Sequence, residues 1–137
     1  MKGLKNIILL HGALGSSAQL ENLAELLKDK FNVFLLNFSG HGKNLNPPES
    51  FSIDKLGQEL NSFIEQHKIL DPNIFGYSLG GYVGLYAATI SPVPFNSVIT
   101  LGTKFDWTDR TYMEQFSFFL SDALLSTYPA VVESLMV

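Results

Sequence analysis

The sequence predicts an α/β fold in which about four parallel strands are flanked by helices, and three observations predict it. Short apolar runs recur along the chain, each followed by a turn signal. Between them lie segments whose apolar residues repeat at helical spacing, so that strand and helix alternate. The chain has 137 residues, of which 46% are hydrophobic and 16% charged, enough for one domain with a real core.

The elements follow in order. Ile7-Ile8-Leu9-Leu10 ends on His11-Gly12 and reads as a strand apolar on both faces. Residues 17–30 place Leu20, Leu23, Ala24, Leu26 and Leu27 at helical spacing opposite Glu21, Glu25, Lys28 and Asp29, an amphipathic helix. Val33-Phe34-Leu35-Leu36 is a second strand, and a Gly/Asn/Pro-rich loop runs from Ser39 to Ser50. Residues 52–67 carry Ile53, Leu56, Leu60, Phe63 and Ile64 on one helical face, with Ser50 or Ser52 as the cap. Residues 72–76 form a third strand, 79–90 a third helix and 95–101 a fourth strand.

Beyond that point the character changes. The chain has nine Lys and Arg residues, the last of them Arg110, whereas the following segment is rich in Phe, Tyr, Leu, Ser and Val. Two short helices, 109–125 and 128–136, joined near Pro129, are the expectation. The division is then a core over 1–108 and a helical, apolar tail of uncertain origin over 109–137.

Composition excludes several classes. A net charge of −4 argues against nucleic acid and against an anionic membrane surface as partners. With no cysteine there are no disulfides, thiolate metal sites or cysteine nucleophile. The apolar run before His11 is too short for a signal-peptide core, and no stretch reaches the length of a membrane span, so a cytoplasmic location is expected.

The chemistry concentrates at Gly76-Tyr77-Ser78-Leu79-Gly80, a G-x-S-x-G pattern extended by Gly81. A strand precedes it and a helix follows, the context that makes the pattern specific for a nucleophile elbow. A sharp turn there strains the serine backbone, and side chains at the flanking positions would collide, which requires glycine at both. The turn also sets Ser78 at a helix N-terminus, where N–H groups favour developing negative charge. Acyl transfer needs two pre-aimed donors for the oxyanion. Leu79 N–H would be one; the other would come from His11-Gly12-Ala13-Leu14-Gly15, with Ala13 N–H as the candidate. His11 is expected to bond loop carbonyls rather than to move protons.

These motifs together resemble the α/β-hydrolase superfamily, specifically the N-terminal half of an esterase- or lipase-like serine hydrolase. Residues 11–15 match its oxyanion loop and residues 76–81 its elbow. Asn37-Phe38-Ser39-Gly40-His41-Gly42 matches its D-x-x-G-H-G segment, with Asn37 replacing the usual Asp. The resemblance covers roughly residues 5–103. It implies a truncated three-layer α/β-hydrolase-like sandwich with strand order 2-1-3-4, a structural role for His41, and hydrolysis of small-molecule esters or related acyl substrates by Ser78. The family triad runs Ser, then Asp or Glu, then His, yet His11, His41 and His67 all precede Ser78. Asp106 is a weak candidate for the acid; a solvated turn residue is its plainer reading. A truncated or frame-shifted product, a natural short variant that only binds or assembles, and a site completed by a partner chain all accord with the missing base. The fourth strand would be an open edge, which predicts a homo-oligomer formed through that edge or through the tail. No cofactor or metal is expected, since no ligand cluster, phosphate loop or G-x-G-x-x-G spacing is present.

Overall fold

The computed structural model describes residues 3–44 and 52–104. The tail, with Asp106 and the 108/109 boundary, lies outside the described residues. Among the described residues four strands form one parallel sheet: β1 (Lys5–Leu10), β2 (Phe31–Leu36), β3 (Asn73–Tyr77) and β4 (Ser97–Leu101), in the order β2-β1-β3-β4. The helices are α1 (Glu21–Leu27), α2 (Ile53–Gln66) and α3 (Leu79–Ile90). This is the expected architecture and strand order.

Alternation along β1 explains the three layers. Ile8 and Leu10 face a core shared with Ile74 of β3, Leu56 and Leu60 of α2, and Leu79 and Val83 of α3. Ile7 and Leu9 face the opposite way, toward Leu20, Leu23, Ala24 and Leu27. Successive strand residues point to opposite faces, so a strand buried on both must be apolar throughout. Each fully buried aliphatic side chain contributes roughly 1.5–3 kcal/mol relative to exposure.

The second element differs from the expected helix over 17–30. Ser17–Leu20 is a 3-10 turn, and only Glu21–Leu27 is α-helical. Asn37 Oδ1 accepts the Ser17 N–H at 2.8 Å and Gln19 N–H bonds Ser16 O, which tightens the start. At the other end Lys30 N–H returns to Leu27 O, turning the chain into β2. The leucine periodicity overstated the helix: Leu26 is 79% exposed and packs on nothing in the core.

For α2 the cap is Ser52, whose hydroxyl accepts the Lys55 N–H at 3.1 Å. At the sheet's N-terminal end, buried Asn73 donates to Asn6 O and accepts from Asn96 and Ser97, tying the starts of β1, β3 and β4 together. Among the described residues β4 is an edge strand, and its Ile99 and Leu101 pair in register with Phe75 and Tyr77 and are 52% and 57% exposed. They lie on the same sheet face as α1, which covers β1 and β2 but not β4. Among the described residues no helix is long and apolar enough to cross a membrane.

Candidate active site around Ser78

Ser78 stands between the end of β3 and the start of α3 with φ 52° and ψ −118°, outside the basins that L-residues hold unaided. Such a conformation costs on the order of 1–3 kcal/mol and persists only where the surroundings over-determine it. The flanking glycines make it attainable. A Cβ on Gly76 would overlap the backbone of Gly80 and Gly81, and one on Gly80 would come within 2.6 Å of the Leu10 and His11 carbonyls. The second figure also shows how closely the end of β1 approaches the elbow.

The loop after β1 therefore lies beside the serine. A Cβ on Gly12 would stand 3.2 Å from Ser78 Cβ and 3.2 Å from the Tyr77 ring. Ala13 and Leu14 are half-buried beside the core that holds Leu79. Leu79, the first residue of α3, has an N–H for which the helix supplies no acceptor. The Ala13 N–H likewise makes no hydrogen bond to a described backbone group. Ser78 itself is half-buried.

His11 and His41 are both buried, with ring centroids 5.0 Å apart. The Phe38 N–H donates to His11 Nε2 at 3.1 Å, which fixes that nitrogen as the acceptor. The proton must then sit on Nδ1, 2.8 Å from Gly12 O. Both ring nitrogens are engaged in holding two loops together. Burial, and secondarily His41, lowers the His11 pKa from 6.5 to about 4, against the opposing Gly12 hydrogen bond. Burial also lowers that of His41, whose Nδ1 lies 3.0 Å from Ser39 O.

The expected loop-fixing roles of these histidines agree with this geometry. It leaves His11 no free nitrogen to serve Ser78. His67 caps α2 with its ring against Phe63 and Phe34, before β3 begins and so at the opposite end of the sheet from the elbow. No described histidine is placed to take the serine's proton.

Asn37, in place of the family's Asp, uses its side-chain oxygen on Ser17 and its carbonyl on Asn44 Nδ2. Ser39 donates both its N–H and its hydroxyl to Glu59 of α2. Burial raises the Glu59 pKa while those two bonds work against the rise. Sequence patterns did not single out Glu59 or Thr103, whose hydroxyl donates to Ser78 O at 2.9 Å. Both contacts join segments 20 or more residues apart, and only the folded sheet brings them together.

Fold, elbow and adjoining loop together define a member of the α/β-hydrolase class. A sequence model of the alpha/beta hydrolase fold matches residues 5–135, and the chain belongs to that family. The match extends through most of the segment beyond Arg110. Among curated proteins, ethanol acetyltransferase 1 of Hanseniaspora uvarum is 29% identical over 97 residues, 69% of this chain and 29% of the relative. A pimeloyl-[acyl-carrier protein] methyl ester esterase of Pseudoalteromonas atlantica is 27% identical over 121 residues, 82% of this chain and 45% of the relative. The solved monoacylglycerol lipase of Paleococcus ferrophilus superposes with a TM-score of 0.63 at 28% identity, over 74% of this chain and 40% of the lipase. The chain thus spans less than half the length of each of these relatives.

Proposed function

We propose that this chain carries the nucleophile half of a serine hydrolase acting on esters or related acyl compounds. Ser78 Oγ attacks the acyl carbon, and the resulting oxyanion is held by the N–H groups of Leu79 and Ala13. The observation that carries this reading is the strained Ser78 backbone at the N-terminus of α3, with the first loop against it. Strain of this kind at a reactive side chain fits a site built to present it. Relatives named as an acetyltransferase, a methyl ester esterase and a lipase support an acyl substrate.

The proton of Ser78 Oγ needs an acceptor, and with all three histidines before residue 78 the usual one is missing from this sequence. Without a base, the oxyanion donors and binding alone give ~10³–10⁴-fold acceleration over water. Turnover by these residues is accordingly slow unless a base reaches the site from another polypeptide or a longer form of this one. The competing reading is a non-catalytic binding or assembly module, favoured by the engagement of both His11 ring nitrogens. We further take Ile99 and Leu101 to support association between copies.

A fluorophosphonate probe separates the two readings. Labelling of the native chain at Ser78, lost in Ser78→Ala, is the expected result. A native chain that stays unlabelled would remove the hydrolase reading and leave the binding module.

A further inference from the structure

We infer that Thr103 is a positioning residue for the nucleophile elbow, and that position 81 is glycine to make room for the Thr103 hydroxyl. The functional side of this inference rests on the reading of Ser78 as nucleophile.

Ser78 does not hold its backbone conformation through its own turn alone. Its N–H donates to the Leu101 carbonyl at 2.8 Å. Its carbonyl accepts two hydrogen bonds, from Gly81 N–H at 3.1 Å within α3 and from the Thr103 hydroxyl at 2.9 Å. The peptide groups on both sides of the serine are thus tied to the end of β4. Leu101 is the last residue of β4 and pairs with Tyr77, so its carbonyl is already in register with the elbow. Gly102, at φ 63°, then turns the chain, and Thr103 returns its side chain to Ser78.

Gly81 completes the arrangement. A Cβ there would overlap Thr103 Oγ1 and would lie 3.0 Å from both Thr100 Cβ and Gly76 O. The extra glycine of the motif is explained by this contact between α3 and the segment from Thr100 to Thr103 at the end of β4, apart from any turn requirement.

The consequence for chemistry follows from peptide planarity. The Ser78 carbonyl and the Leu79 N–H belong to one rigid peptide unit and point in opposite directions. A hydroxyl fixed on that carbonyl therefore sets where the Leu79 N–H aims, and polarises it as well. An oxyanion donor works through being aimed before the charge develops. Thr103 touches no substrate; it acts through Leu79.

The test compares Thr103→Val, which removes the hydroxyl at nearly constant shape, with Thr103→Ser, which keeps it, in the full chain. Labelling of Ser78 by a fluorophosphonate should slow about tenfold in Thr103→Val and stay within about twofold of native in Thr103→Ser, the scale of one lost hydrogen bond. Independently of any reactivity, amide exchange of Ser78 should accelerate about tenfold in Thr103→Val relative to Ile74 in the same sample. The Leu79 amide resonance should move in Thr103→Val and remain in Thr103→Ser. Native labelling and exchange in Thr103→Val would overturn the inference, as would a Thr103→Ser that behaves like the valine variant. A native chain that is never labelled refutes the nucleophile reading instead, while exchange and the Leu79 resonance still decide whether Thr103 clamps the elbow.

Discussion

Lowering the pH from 7 to 5 asks the fold to accept a proton on His11 and finds the site built against it. In the folded chain Nε2 accepts from Phe38 N–H and Nδ1–H donates to Gly12 O, an arrangement open only to the neutral ring. Its pKa is lowered from 6.5 to about 4, chiefly by burial. The unfolded chain takes up this proton below about pH 6.5, the folded chain only near 4. The stability tied to the neutral ring is therefore complete above 6.5 and is lost as the pH falls toward 4. At 1.36 kcal/mol per pKa unit the full effect is about 3 kcal/mol, of which about 2 kcal/mol has gone by pH 5. His41, also lowered by burial, acts with the same sign. Glu59, raised by burial, acts with the opposite one: its contribution is present at low pH and fades as the pH rises through its raised value. Urea unfolding of the native chain and of His11→Gln at pH 7 and pH 5 isolates the His11 part, because His41 and Glu59 remain in both. The native chain should lose about 2 kcal/mol more than the variant between the two pH values. An NMR titration of the His11 ring with its midpoint near 6.5, or equal pH dependence in both proteins, would refute the assignment.

Two further outcomes follow. Gly76→Ala should destabilise the chain by about 3 kcal/mol or more, since the added Cβ meets backbone atoms that cannot swing aside. Gly3→Ala, where nothing lies within 4 Å, should shift the urea midpoint little; equal midpoints for the two variants would contradict the elbow packing. If copies associate through β4, sedimentation should show a dimer or larger species that Ile99→Lys shifts toward monomer. A monomeric native chain at high concentration would remove that proposal.

The elbow was legible because its demands are local: two glycines, a serine, and a strand and helix on either side. The sheet order was legible because the three motifs recur in the family in one order and the apolar runs fit buried parallel strands. Element ends were less so. Leucine spacing extended the second element to 30, but the Asn37 contact with Ser17 and the return to β2 confine the α-helix to seven residues. Contacts set by tertiary register left no trace in the pattern. The Phe38 N–H that occupies His11 comes from 27 residues away, and the Thr103 hydroxyl on Ser78 from 25. Asp106 and the expected helices over 109–125 and 128–136 fall outside the described residues.

The most direct test of the account is the intact mass of the chain after exposure to an activated ester such as p-nitrophenyl butyrate. Ser78 Oγ should attack the activated carbonyl slowly, its proton passing to solvent and p-nitrophenolate leaving; with no efficient base for the following hydrolysis, a single butyryl group should remain on the peptide containing Ser78. The adduct should be absent from Ser78→Ala. No acyl adduct on the native chain, or an adduct that survives in Ser78→Ala, would contradict the claim that this elbow presents a working nucleophile.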